Sequence, residues 1–281
     1  MKPKLIIHGG FFSESGTNDD VKRAKQNALR EIVERSYAHL ENHPAVETVA
    51  YAVSLLEDCD LFNAGTGSQI QSDGKIRMSA AIMDGTTSKF AGVINIEDVR
   101  NPVYVAQSLL HYEDSVLGGP EALSFARGIG VEHYNPETAQ RRQEFEEKSA
   151  ATARTGTVGC VALDANGCLA AATSTGGKGF EMPGRISDSA TVAGNYANAF
   201  AAVSCTGVGE DIVSGAVAAK IVTRVTDGLS LGEAARKTLG ELKAFDGFAG
   251  IIGISARGEI YHLDSHKYMV WAAFSSGVET F

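Results

Sequence analysis

The sequence has no apolar run of the roughly 18 residues that a membrane-spanning helix needs, and nothing at its start resembles a secretory core. MKPKLIIHGG carries two lysines and a short apolar stretch ending at His8, Gly9 and Gly10, the pattern of a first strand in a cytoplasmic protein. Positive charge is also short. Lys and Arg number 25 against 34 Asp and Glu, a net charge of -9, which disfavours nucleic acid or an anionic membrane as partner. Cys59, Cys160, Cys168 and Cys205 stand far apart, so neither a disulfide framework nor a thiolate zinc site is indicated and they read as small core residues. No HExxH or comparable spacing joins the seven histidines, which leaves His8 as a structural hydrogen-bonder and argues against a catalytic metal. The TGVGEDI stretch (206–212) lacks the third glycine of a dinucleotide-binding turn.

What is present is a 281-residue chain with 44% hydrophobic residues, enough for one sizeable core or two small ones. The first half predicts a strand over KLIIHGG and helices over 19–42 and 45–58. A hairpin is expected around Asp73-Gly74, with a further strand over Phe90–Ile96 and a helix from Pro102 to about His111. Residues 136–156 are charged and polar with almost nothing to bury, and predict a solvated helix end running into a mobile linker. The second half restarts with TVGCVALDANGCLAAATST, where Asn166-Gly167 predicts a type I′ hairpin. Helices over 209–227 and 231–244 and a hairpin around Arg257-Gly258 complete the pattern. Strands and helices come in blocks, which favours antiparallel sheets with helices packed outside.

The seam at 156 has its own chemistry. A threonine hydroxyl is a poor nucleophile until a base sits beside it, and a freed α-amine on the same residue, with a pKa of about 7.7–8.0, is such a base. Cleavage of Gly156-Thr157 would give Thr157 both groups, and Gly156, without a Cβ, can adopt the strained geometry in which the hydroxyl attacks its carbonyl. On spacing alone, Thr157 reads as a β-branched residue that opens a strand after a turn.

The motifs GTVGCVALDANGCLAAATSTGG, MPGRISDS (Met182–Ser189) and SCTGVGE (Ser204–Glu210) resemble the plant-type L-asparaginase/isoaspartyl peptidase family of N-terminal-nucleophile hydrolases. LIIHGG, LLEDCDLFNAGTGS and AAIMDG, in the family's order, extend the likeness over nearly the whole chain. The resemblance implies an α+β fold, the four-layer αββα sandwich, in one domain over 1–281 that cleaves itself into an α chain (1–156) and a β chain (157–281). It implies Thr157 as nucleophile, Thr175 orienting it, Arg185 and Asp188 binding the substrate α-carboxylate and α-ammonium, and Thr206 with Gly207 N–H stabilising the oxyanion. A forked guanidinium suits a carboxylate as lysine would not. Gly209 is expected beside the ammonium and Asn63 facing the catalytic threonine.

The resemblance further implies a sodium ion on the backbone carbonyls of Leu56, Glu57, Cys59, Phe62, Ala64 and Thr66, no cofactor for catalysis, and a homodimer of αβ units. The substrates implied are asparagine and β-aspartyl dipeptides, with a glycosylasparaginase or a binding protein without turnover as the other readings. Departures from the family are Phe11 and Phe12 after the glycines, Met78-Ser79 before Ala80, Glu181 in place of a lysine, and FDGFAGII (Phe245–Ile252) in place of a glycine-rich stretch. The two aromatics are expected to narrow the site.

Overall fold

The computed structural model describes residues 1–11, 19–147, 156–266 and 268–281, which form a mixed α+β structure. In chain order the elements are β1 (Lys4–Phe11), α1 (Asp19–Leu40), α2 (Ala45–Glu57), β2 (Met78–Asp84), β3 (Lys89–Ile96), α3 (Pro102–Leu109), β4 (Val116–Gly118), α4 (Gly119–Gly128) and α5 (Ala139–Glu146). There follow β5 (Val158–Leu163), β6 (Leu169–Thr175), β7 (Asn195–Ala197), β8 (Ala201–Gly207), α6 (Gly209–Gly215), α7 (Val217–Thr226), α8 (Leu231–Leu242), β9 (Ala249–Ser255), β10 (Ile260–Asp264), β11 (Met269–Phe274) and β12 (Val278–Thr280).

Among these residues one sheet has the order β12-β11-β1-β5-β6-β2-β3-β4 and a second the order β10-β9-β8-β7. All neighbours are antiparallel except β3 and β4. The period-2 alternation of a strand decides which core each side chain joins. Leu5 and Ile7 of β1, with Val158 and Cys160 of β5, pack with Leu29, Val33 and Val53 of α1 and α2. Ile6, Val161 and Ala171 point the other way and pack with Ala202, Ile252 and Ile254 of the second sheet. The second sheet turns Val203, Cys205 and Ile251 toward Ile221, Val222 and Leu239 of α7 and α8.

This alternation aims the site. Thr157 and Gly159 share the face of Val161, and Thr173 and Thr175 share the face of Ala171. On β8, Ser204 and Thr206 share the face of Ala202, so all of these groups meet in the space between the sheets. Along both strands the residues change from apolar to hydroxylic, Leu169-Ala171-Thr173-Thr175 opposite Ala202-Ser204-Thr206, and the inter-sheet core gives way to a polar end.

Four local expectations need correction. Asp73-Gly74 does form a turn, with Gly74 N–H donating to Gln71 O at 2.9 Å, but its flanks are not strands. Ser72 N–H bonds Glu181 O and Ile70 O accepts from Phe180 N–H, so the segment is tied to the 180 region, and β2 pairs with β3 and β6 instead. The β5–β6 connection has positive φ only at Gly167, and Gly167 N–H donates to Asp164 O, a type I turn closed by a left-handed glycine rather than type I′. The expected 209–227 helix breaks at Ala216, left-handed at φ 47, because the N–H groups of Ala218 and Ala219 bond Ala193 O and Val192 O. In the 136–156 segment, α5 is docked: Arg141 Nε donates to Gly67 O at 2.7 Å and Phe145 stacks on Phe180 at 5.0 Å. The remainder of the expected mobile linker, 148–155, lies outside the described residues.

Candidate active site

A cleft of about 590 Å³ opens where β5, β6 and β8 end, lined by Gly156, Thr157, Thr175, Arg185, Asp188, Gly207 and Gly209 among others. The hairpin register pairs Val158 with Ser174, which sets Thr157 beside Thr175. The Thr157 hydroxyl donates to Thr175 Oγ1 at 3.2 Å, and the same oxygen accepts Gly177 N–H at 3.3 Å. Thr157 is 7% exposed.

Gly156 is required by space: a Cβ there would lie 2.3 Å from Asn63 Cβ. Asn63 sits behind the cleft wall rather than on it. Its amide donates to Gly177 O, its Oδ1 accepts Gln69 N–H at 2.9 Å, and its carbonyl accepts Gly176 N–H. It thereby ties Gly176 and Gly177 to the 63–69 segment, without a bond to Thr157 among the described residues.

A type II turn, Pro183-Gly184 with Gly184 at φ 84 and Arg185 N–H on Met182 O, presents Arg185. The guanidinium meets Glu210 through two bonds of 2.8 Å, and Lys178 Nζ lies 3.3 Å from the same carboxylate. Arg185 holds the Glu210 carboxyl down at about 2. Asp188, at the start of a short 3-10 turn, is buried; burial pushes its carboxyl up to about 7 against the attraction of Arg185. Its Oδ2 has no hydrogen-bond partner among the described residues. Gly209 passes between the two, where a Cβ would meet Arg185 Nη2 at 2.8 Å and Asp188 Oδ1 at 2.9 Å.

Thr206 is fully buried and its Oγ1 is unpartnered among the described residues, a donor with no acceptor. Gly207 follows at φ +143, pressed against Phe248 O, a conformation and approach that exclude other residues. Behind the site His8 Nε2 lies 2.9 Å from Ser204 Oγ, which lies 2.7 Å from Thr173 Oγ1. Burial lowers the His8 imidazole to about 3 and keeps it neutral, in line with its structural reading. Sequence reasoning missed this chain of hydroxyls, the Glu210 clamp and Lys178; Glu210 carried only the signal of an acidic residue at a helix start.

The described departures are not among the residues that line the cleft. Phe11 is buried in the inter-sheet core, 4.5 Å from the Phe248 ring, so it does not narrow the site. Phe12 lies outside the described residues. Glu181 is buried and accepts Lys178 N–H at 3.2 Å. Cys160 and Cys205 are buried, whereas Cys59 and Cys168 are only partly so.

Among the described residues no His/Cys/Asp/Glu cluster could hold a metal. The six carbonyls from Leu56 to Thr66 fit a hard cation by donor type. Those of Leu56, Glu57 and Cys59 each accept one backbone N–H, from Cys59, Thr66 and Phe62, and an amide oxygen keeps a second lone pair. Glu57 itself is buried; its side chain accepts Val103 N–H, and burial lifts its carboxyl to about 8. No helix of the described residues is long and apolar enough to cross a membrane.

The chain matches the family model described as asparaginase over residues 1–280. It is 44% identical over 280 residues to an isoaspartyl peptidase/L-asparaginase of Nostoc sp., covering 92% of this chain and 88% of that protein. It is 38% identical over 287 residues to the isoaspartyl peptidase of Escherichia coli, covering 92% and 88%. A plant-type L-asparaginase of Pyrococcus furiosus is 34% identical over 302 residues, covering 98% and 97%. On this match, over nearly its full length, the chain belongs to the asparaginase family.

Proposed function

We propose that the protein is a self-processing amidohydrolase that cleaves the side-chain amide of L-asparagine, the isopeptide bond of β-aspartyl dipeptides, or both, with Thr157 as an N-terminal nucleophile. The observation that carries the reading is the Thr157–Thr175 hydroxyl pair in the cleft that also holds Arg185 and Asp188. The names of the relatives, isoaspartyl peptidase and L-asparaginase, support the substrate class. We read the layering as the four-layer αββα sandwich of N-terminal-nucleophile hydrolases, assembled as a homodimer of αβ units in the cytoplasm.

Cleavage of Gly156-Thr157 frees the Thr157 amine. That amine takes the hydroxyl proton as Oγ1 attacks the substrate side-chain carbonyl. Arg185 pairs the substrate α-carboxylate and the ionised Asp188 takes its ammonium. The Thr206 hydroxyl and Gly207 N–H receive the oxyanion. The C–N bond breaks, the leaving nitrogen takes the proton, and ammonia or an amino acid departs. Water then hydrolyses the β-aspartyl ester and restores Thr157. The unpartnered Thr206 Oγ1 and Asp188 Oδ2 suit such roles, since each gains its partner when substrate or transition state arrives. A sodium ion on the Leu56–Thr66 carbonyls would brace the loop that positions Asn63, away from the reacting atoms.

The test is an assay of purified protein on L-asparagine and a β-aspartyl dipeptide. Release of ammonia or free aspartate, lost in Thr157→Ala, is expected; no turnover of either substrate would contradict the reading.

A further inference from the structure

Four charged side chains line the cleft: Lys178, Arg185, Asp188 and Glu210. On the hydrolase reading, on which this inference rests, Arg185 and Asp188 serve the α-carboxylate and α-ammonium of the aspartyl half. Glu210 is committed to Arg185 through two bonds. Lys178 is therefore the one cation among the described lining residues that the aspartyl half does not use.

Its backbone is fixed and its ammonium is held by one contact. Gly177 and Gly179 flank it at φ +83 and +78, Asn63 holds Gly177 O, and Glu181 accepts the Lys178 N–H. The side chain is 46% exposed and its ammonium touches Glu210 at a single 3.3 Å contact, which leaves donors for another anion. The cleft, at about 590 Å³, lies within the range of about 300–1,000 Å³ that takes ligands larger than one amino acid.

We propose that Lys178 is a specificity residue for the leaving group, receiving the free α-carboxylate of the amino acid released from a β-aspartyl dipeptide. When Thr157 Oγ1 bonds the aspartyl carbonyl and the C–N bond breaks, the departing nitrogen takes the proton removed from the Thr157 hydroxyl. In a dipeptide that nitrogen is one carbon from a carboxylate; in asparagine it leaves as ammonia, with nothing for Lys178 to hold. Both substrates pass through the same β-aspartyl ester, so the contact acts on acylation and shows in kcat/KM rather than in ester hydrolysis.

The test compares β-aspartyl-leucine with its C-terminal carboxamide, which differ only in the leaving-group charge. For the unaltered protein kcat/KM is expected to favour the free acid by about fivefold at low salt, as a half-exposed ion pair allows, and to favour it less as salt rises. In Lys178→Met the preference falls to about one, and in Lys178→Arg it returns. If Lys178→Met does not fold, Lys178→Gln serves in its place. A flat ratio in the unaltered protein, or a preference that survives in a folded Lys178→Met or Lys178→Gln variant, overturns the assignment while leaving the hydrolase reading intact. No cleavage of either peptide by an unaltered protein that hydrolyses asparagine overturns the assignment alone, and no turnover of the peptides or of asparagine overturns both.

Discussion

The guanidinium of Arg185 lies on the carboxylate of Glu210, with Nε and Nη2 each 2.8 Å from an oxygen, while the buried Asp188 nearby carries an unpartnered oxygen. One edge of the fork is thus occupied by Glu210, and on the proposed mechanism the rest takes the substrate carboxylate while Glu210 positions the arginine away from the reacting atoms. Glu210→Ala is expected to raise KM for asparagine about threefold to tenfold with kcat little changed, read from steady-state kinetics. Because Glu210 titrates only at about 2, this pair persists at any pH used for assay.

Asp188 gives the pH dependence. Its carboxyl is raised to about 7, so below that value it is neutral and must lose a proton before it can take an ammonium. KM for asparagine should therefore fall as pH rises through about 7, roughly tenfold per unit on the acid side, and the slope should vanish in Asp188→Asn. The unfolded chain ionises this group near 3.9, so between about 4 and 7 the free folded protein holds the extra proton. The contribution of Asp188 to stability accordingly decreases as pH rises through that window, which thermal melts of the free enzyme will register.

Thr206→Val separates activity from stability. The hydroxyl is buried and makes no hydrogen bond among the described residues, so its loss costs the folded protein little or nothing. As an oxyanion donor its loss is expected to lower kcat about 10²- to 10³-fold. Equal activity in the variant would remove Thr206 from the mechanism.

Gly159 is held by the hydroxyl chain behind the site. A Cβ there would lie 2.0 Å from Ser204 Oγ and 2.4 Å from His8 Nε2. Gly159→Ala should destabilise the protein by about 1–3 kcal/mol in chemical denaturation, because both neighbours are fully buried with nowhere to retreat.

Much of this was legible in the sequence because it rests on local signals. The apolar periodicity of α1 and α2 and the threonines of the second-half hairpin give elements that the structure reproduces to within two residues. The motif carried Arg185, Asp188 and Gly207 to one cleft. What escaped depends on distant segments meeting. Asp73-Gly74 is a good hairpin turn whose flanks bond residues more than a hundred positions away. The break at Ala216 is set by carbonyls of Val192 and Ala193, and the adjacent Gly215 is a weak local sign of it. The place of Phe11 required knowing that Phe248 lies opposite, and the clamp on Arg185 required bringing Glu210 across 25 residues.

On the proposed mechanism Thr157 becomes an N-terminal residue, and mass spectrometry of the purified protein under denaturing conditions reads that event itself. Two chains are expected, with the second beginning at Thr157, and one intact chain in Thr157→Ala, with activity reduced about a thousandfold or more. An unaltered protein that hydrolyses asparagine or a β-aspartyl dipeptide as a single uncut chain of 281 residues would contradict that mechanism.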